Sequence, residues 1–404
     1  MRLRSLLAAL LALGLAASAG RVGAAQVDPR NWPMLLDAAK GQSLNWYAWG
    51  GETKINDYIA WVGGEMRQRH GIRLNHVKLA DTSEAVSRLL AERTAGRTTG
   101  GAVDLVWING ENFASLKAAG LLFGPFATDL PNFALVDVDM KPVLVTDFTL
   151  PVEGYEAPWG TAQLTFYHDS ARLAEPPRSL SALLDWARAN PGRFTYPQPP
   201  DFLGTTFLKQ VLVTLAPDKA ALAGSPDDAA FAAASRPVFD YLDKLHPFLW
   251  RKARTFPQNV SALRTAFADG ELDVGLTFNP GDAATGVARG EFPMTVRTYG
   301  LEDGTIGNAH FVAIPLNASS KAAALVVADF LLSPLAQARK ADQTVWGDPT
   351  VLALSKLGAA DRALFESPLG GINAGPGVPA LPEPHPAWSG RLEADWARRY
   401  GVAP

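Results

Sequence analysis

Not one cysteine occurs in the 404 residues. That excludes a disulfide framework, a thiolate metal site and a thiol nucleophile. It also excludes a lipid-modified cysteine behind an export leader. A basic surplus is missing too, since the formal charge is −3. A nucleic-acid partner demands a basic footprint, so none is expected. Long apolar runs are scarce. Beyond the N-terminal leader no segment reaches the ~20 apolar residues of a membrane-spanning helix. Ala322 to Leu332 is interrupted by Asp329 and reads as a buried helix. Enzyme signatures are also lacking: there is no P-loop, G-x-G-x-x-G, G-x-S-x-G or H-E-x-x-H. His70, His76, His168, His246, His310 and His385 are scattered without i, i+4 pairing, so no metal or other cofactor is expected. These absences point away from an enzyme.

The leader has the shape of a secretory signal. Arg2 and Arg4 precede an uncharged apolar run from Leu6 to Ala17; Ala17-Ser18-Ala19 and Gly23-Ala24-Ala25 both fit the small-x-small cleavage rule, and polar residues begin directly after the second. Residues 1–25 are therefore expected to be removed before Gln26, which implies a periplasmic destination. Losing Arg2, Arg4 and Arg21 from a chain of net charge −3 leaves about −6. The mature length suits two domains.

Strand-like and helix-like patterns alternate. Ser43 to Trp49 reads as a strand, Ile55 to His70 as an amphipathic helix stopped by Gly71, and Ile72 to Leu79 as a strand. Thr82 to Arg93 follows as a helix, Val103 to Ile108 as a strand and Phe113 to Ala119 as a helix. Later elements are helices starting at Ser179, Thr205 and Val260, strands over Leu272 to Phe278 and Phe311 to Ile314, and the Ala322 to Leu332 helix. The alternation implies α/β architecture with a largely parallel sheet. The Gly- and Pro-rich stretch from Gly370 to Pro386 reads as an irregular surface connection.

In open α/β sheets ligands lie beyond the carboxyl ends of strands. Three loops there carry aromatic, glycine and amide residues. In the first, Trp49 is followed by Gly50 and Gly51, which let a ligand approach the backbone. Alternation puts Trp46 and Ala48 on one face, Tyr47 and Trp49 on the other. The second loop is Asn109-Gly110-Glu111-Asn112, where an asparagine either caps the next helix or meets a ligand. The third is Asp201-Phe202-Leu203-Gly204-Thr205-Thr206, where Thr205 or Thr206 either caps a helix or faces the ligand.

Several longer strings resemble a known family. APWGTAQLTFYHDSARL (Ala157 to Leu173), SLSALLDWARANPGRFTYPQPPDFLGTTF (Ser179 to Phe207), LRTAFADGELDVGLTFNPG (Leu263 to Gly281) and FVAIPLNASSKAAALVVADFLLSPLAQ (Phe311 to Gln337) are similar, in order and spacing, to family 1 extracellular solute-binding proteins. YAWGG and VDLVWINGENF place the likeness in the YnjB-like subgroup. The resemblance implies a type II periplasmic-binding-protein fold, with two α/β lobes joined by hinge strands around a ligand cleft. It implies a first lobe of residues 26–158 and 309–340, and a second of 159–308 and 341–404. Cleft positions would then be Trp49, Gly50, Gly51, Asn109, Glu111, Asn112, Trp159, Gly160, Thr161, Gln163, Asp201, Gly204, Thr205 and Asn279, with Trp346 and Asp348 as weaker candidates. The implied role is a monomeric substrate-binding component of an ABC importer, with a small molecule and membrane permease subunits as partners. Tryptophans beside Glu111 and Asp201, without a basic cluster, suit a cationic or heteroaromatic, thiamine-like solute. A sugar, or an enzyme of this fold acting on carbohydrate, is the alternative.

Overall fold

A computed structural model describes residues 27–366 and 377–401. The expected leader and its cleavage site before Gln26 lie outside the described residues. Two separate hydrophobic cores form, one per lobe.

The first lobe grows from the Ser43–Trp49 strand. Its alternation buries Leu44, Trp46 and Ala48 and leaves Tyr47 and Trp49 half-buried on the other face, as the period-2 pattern predicts. It pairs in parallel with Arg73–Leu79 and with Leu105–Ile108. The Thr53–His70 helix makes the first connection and buries Ile55, Tyr58, Ile59, Val62 and Met66. It ends where Gly71, at φ +67, adopts the left-handed geometry that glycine tolerates best.

Two long antiparallel strands, Glu156–Gln163 and Thr305–Ala313, run from this sheet towards the second lobe. At Leu164, whose N–H donates to the Ile306 carbonyl at 2.8 Å, the chain leaves the first sheet. Thr165–Asp169 then becomes the central strand of the second, flanked by Val274–Thr277 and Val296–Tyr299. This second sheet is antiparallel throughout, which corrects the expectation of a largely parallel one. Its central strand arrives from the hinge, and Leu180–Ala189, Phe202–Leu215 and Asp228–Leu245 follow as consecutive helices with no strand between them.

The described part of the Gly370–Pro386 stretch is not a loose surface connection. Ala380–Leu381 adds a parallel strand beside Thr305 and Ile306, and Gln163 Nε2 donates to the Val378 and Pro379 carbonyls at 3.2 Å each. This stretch delivers the Ala387–Tyr400 helix to the second core through Trp388, Leu392 and Trp396. Trp346, Val351, Leu352 and Leu357 bury in the first core, so the segment from 341 does not pass directly into the second lobe as expected. Trp159 likewise lies in the first core. The Lys321–Leu331 helix is buried almost along its whole length, and among the described residues no single helix is long and apolar enough to cross a membrane.

Candidate functional site: the interlobe cleft

Three parallel strands of the first lobe end on one wall of the cleft. They present Trp49-Gly50-Gly51, Asp81-Thr82 and Asn109-Gly110-Glu111. The facing wall comes from the start of the Phe202–Leu215 helix and from Phe278 to Asp282 after the Val274–Thr277 strand. The lobes touch at several points. Ser261 Oγ donates to the Gly51 carbonyl at 2.9 Å, and Lys54 donates to Asp282. The Lys209 ammonium lies 4.2 Å from the Phe148 ring centroid.

Carboxylates gather on both walls. Asp201 caps the Phe202–Leu215 helix, accepting from the Leu203 and Gly204 N–H groups at 3.0 and 3.2 Å. The helix thus begins three residues before Thr205, and neither threonine caps it. Thr205 Oγ1 instead donates to Glu393 at 2.6 Å, and Thr206 Oγ1 to the Phe202 carbonyl at 2.7 Å. Burial pushes the Glu393 carboxyl up to about 7, with the charges of Glu111 and Asp81 adding to the rise and Thr205 and Lys209 opposing it. Burial likewise raises Asp201 to about 6, against its two backbone donors and with Asp81 adding. Glu111 is accessible to solvent yet ringed by protein. Its carboxyl is raised by desolvation, opposed by Lys209 and reinforced by Glu383 and Asp81. Thus Asp81 and Glu111 of the first lobe act electrostatically on Asp201 and Glu393 of the second.

Gly110 shows why this wall needs a glycine. Its φ is +60, and a Cβ there would lie 2.5 Å from the Phe148 ring. Its N–H donates to buried Asp147 at 2.6 Å. Phe148 itself has φ +48. Such a conformation in a bulky residue costs on the order of 1–3 kcal/mol and persists only where the surroundings impose it. Asn109 precedes the helix, but its side chain makes no capping bond. Asn112 is half-buried one turn in. Gly204 is required by packing, since a Cβ would meet the Pro197 carbonyl at 2.2 Å. Gly50 and Gly51 are similarly tight against Lys78 and the Trp49 ring.

The residues expected at the hinge divide. Trp159 is fully buried, with its ring centroid 4.9–5.4 Å from those of Trp46, Trp107 and Trp346. Gly160 lies against Asp348, His310 and Lys340, where a Cβ would have no room. Buried Asp348 pairs with Lys340 and with His310, the latter at 2.9 Å. Trp159, Gly160, Trp346 and Asp348 therefore form hinge packing and do not line the cleft. Gln163 is occupied in clamping the C-terminal stretch. Thr161 is half-buried on the same strand. Asn279 shapes its turn by accepting from the Gly281 N–H at 2.9 Å and reaches the Trp346 carbonyl at 3.3 Å. Sequence reasoning missed Asp81, Phe148, Lys209, Glu383 and Glu393. Lys209 had a local signal: it is the one charge in the apolar helix FLGTTFLKQVLVTL. Two open depressions of about 500 and 570 Å³ lie on the second lobe, and neither is lined by these cleft residues.

A chain of charges spans the lobes at one end of the cleft. Lys54, buried beside Glu52 at 3.1 Å, meets Asp282, which also accepts from Arg264 at 2.7 Å. Desolvation opposes charging Lys54, but Asp282 and Glu52 outweigh it and its pKa is raised. Asp282 is lowered correspondingly: burial opposes this, and Lys54 and Arg264 prevail. Lys54→Met removes the interlobe member and leaves Asp282 paired with Arg264. Small-angle scattering of the ligand-free variant should then show a larger radius of gyration than the parent. An unchanged radius would mean that the bridge does not hold the lobes together.

The profile of the bacterial extracellular solute-binding protein family matches residues 65–363. Protein YnjB of Escherichia coli (strain K12) is 48% identical over 372 residues, covering 92% of this chain and 94% of YnjB. Among solved structures, the periplasmic binding protein AfuA from Actinobacillus pleuropneumoniae, with fructose-6-phosphate bound, is similar at TM-score 0.64 and 15% identity, covering 90% of this chain and 99% of AfuA. The spermidine/putrescine substrate-binding protein PotD from Streptococcus pneumoniae gives 0.59 and 14%, covering 88% and 98%. Iron-bound HitA from Pseudomonas aeruginosa gives 0.60 and 18%, covering 87% and 98%. At these identities the likeness is one of fold: the two-lobed type II periplasmic-binding-protein architecture.

Proposed function

Because the chain belongs to the bacterial extracellular solute-binding protein family, we propose that it captures a small cation in the periplasm and delivers it to the permease of an ABC importer. One observation carries the choice of cation. Across the cleft, Asp81 and Glu111 from one lobe raise the proton affinity of Glu393 from the other, and Asp81 raises that of Asp201. Closing the lobes brings like charges together, and a cation between them relieves that repulsion. Half-buried Trp49 and Phe278 supply flat faces for an organic cation. A polyamine-like solute, or a thiamine-like one held by the acids through its amino N–H groups, fits this chemistry better than a phosphate or sulfate, for which arginine forks are the usual partners.

The ligand-bound state is the closed one, and the permease reads it. Lys54, Asp282 and Ser261 would then make or strengthen their interlobe contacts on closure. Native mass spectrometry of protein recovered from the periplasm tests the proposal. The expected spectrum shows a chain starting at Gln26 that carries one cationic small molecule. A co-purified neutral sugar would refute the cationic reading, and a chain starting at Met1 would refute export.

A further inference from the structure

We propose that Lys209 is a tethered cation filling an aromatic cage in the cleft wall, and that it thereby steers the site towards cations bearing N–H groups and away from quaternary ammonium. The inference deepens the cationic reading above and rests on it for its physiological meaning.

The Lys209 side chain is almost wholly buried, in a helix that is otherwise uncharged. Its ammonium lies 4.2 Å from the Phe148 ring centroid and 5.5 Å from that of Phe202. One ring comes from the first lobe and the other from the second. Glu383, also buried, completes the cage with an oxygen 2.7 Å from the ammonium, and Asn308 Nδ2 orients that carboxylate through its other oxygen at 2.8 Å. Two aromatic faces and a carboxylate are what proteins use to hold methylated ammonium ligands. Here the chain supplies the cation itself. Phe148 keeps its left-handed backbone, and Gly110 forgoes a side chain, so that the ring can close over the lysine.

A ligand cation entering this cleft therefore finds the cage taken. Beside the filled cage it meets the oxygens of Asp81, Glu111, Asp201 and Glu393, which reward a head that donates hydrogen bonds, while Trp49 offers a flat face to the rest of the solute. A quaternary ammonium has no N–H to donate and gains least there. Truncating the lysine reverses the preference. It empties the cage and leaves Glu383 buried without its charge partner, so an external cation is drawn in.

The probe is tetramethylammonium chloride, titrated calorimetrically into wild type and Lys209→Ala, with sodium chloride as the ionic-strength control. Wild type should show no specific binding. The alanine variant should bind at least tenfold more tightly, and adding Phe148→Leu should remove most of that gain. A folded Lys209→Ala that takes up tetramethylammonium no better than wild type overturns the inference. If the variant melts too low to titrate, the same salt should raise its Tm by several degrees over sodium chloride, and no rise overturns it equally. The two readings fail separately. Gain of tetramethylammonium by the variant, in a protein whose wild type carries a neutral solute, would leave the cage standing and the cationic reading refuted.

Discussion

Trp159→Ala should lower the unfolding free energy by about 3–5 kcal/mol, the range expected when a fully buried aromatic is emptied from a core. The ring is 0% exposed and sits among Trp46, Tyr58, Trp107 and Trp346 where the crossing strand leaves the first lobe. Neighbouring side chains cannot collapse into the gap easily, because Gly160 beside it is already pressed against the buried Lys340–Asp348 pair. Trp49→Ala is the contrast. That ring is half-buried at a strand end and packs only on the margin of the first core. Its loss should change stability less and weaken an organic cation by roughly 1–3 kcal/mol, about ten- to a hundredfold in affinity. Urea denaturation followed by calorimetric titration separates the two. If Trp159→Ala kept its denaturation midpoint and lost affinity, the ring would be a cleft wall and the hinge packing described above would be wrong.

These two tryptophans show how far the sequence was legible. Both stand in aromatic- and glycine-rich strings at strand ends, and local pattern does not tell them apart. The alternation of Ser43–Trp49 correctly separates its two faces, because a half-buried strand has a strict period of two. It carries no information about Trp159, because consecutive residues from Glu156 to Gly160 are buried on both faces of their strand and show no alternation. The start of the Phe202–Leu215 helix was misread because Asp201 lies in a Pro-rich approach and looked like a ligand group. It is a cap and a cleft acid at once. Parallel pairing was legible in the first lobe, where helices alternate with strands. It failed in the second, where consecutive helices separate strands that pair antiparallel. Glu383 and Glu393 reach the cleft from a stretch more than 170 residues beyond Lys209 and Thr205. No local period records such a contact. Lys209 was the missed clue with a local cause, since a charge buried in an apolar helix must find a partner somewhere.

Neutralising the acids without changing their shape should produce the largest loss of function. Glu111→Gln and Asp201→Asn each remove one charge, and the asparagine preserves the helix cap. Each should weaken a cationic ligand by about 1.5–3 kcal/mol, the value of a hydrogen bond to a charged group, and the pair together by on the order of a thousandfold. A neutral sugar would respond far less, so the double variant tests the charge of the cargo. The pH dependence gives an independent reading of the same groups. In the ligand-free protein burial lifts Glu393 to about 7 and Asp201 to about 6, aided by Asp81 and, for Glu393, by Glu111, while Lys209 opposes the rise of Glu393. A carboxyl raised on folding holds more protons in the native state than in the unfolded chain. These two groups therefore cost stability progressively as pH rises through about 4 to 7. A bound cation lowers both again, so binding expels protons and affinity must rise with pH over the same interval. The slope is at most about tenfold per pH unit for each proton released. Titrations between about pH 5 and pH 8 should show affinity climbing and then flattening above the Glu393 value, with the climb reduced in Asp201→Asn. A flat profile, or affinity that falls as pH rises, would mean that the cargo does not sit among these carboxylates.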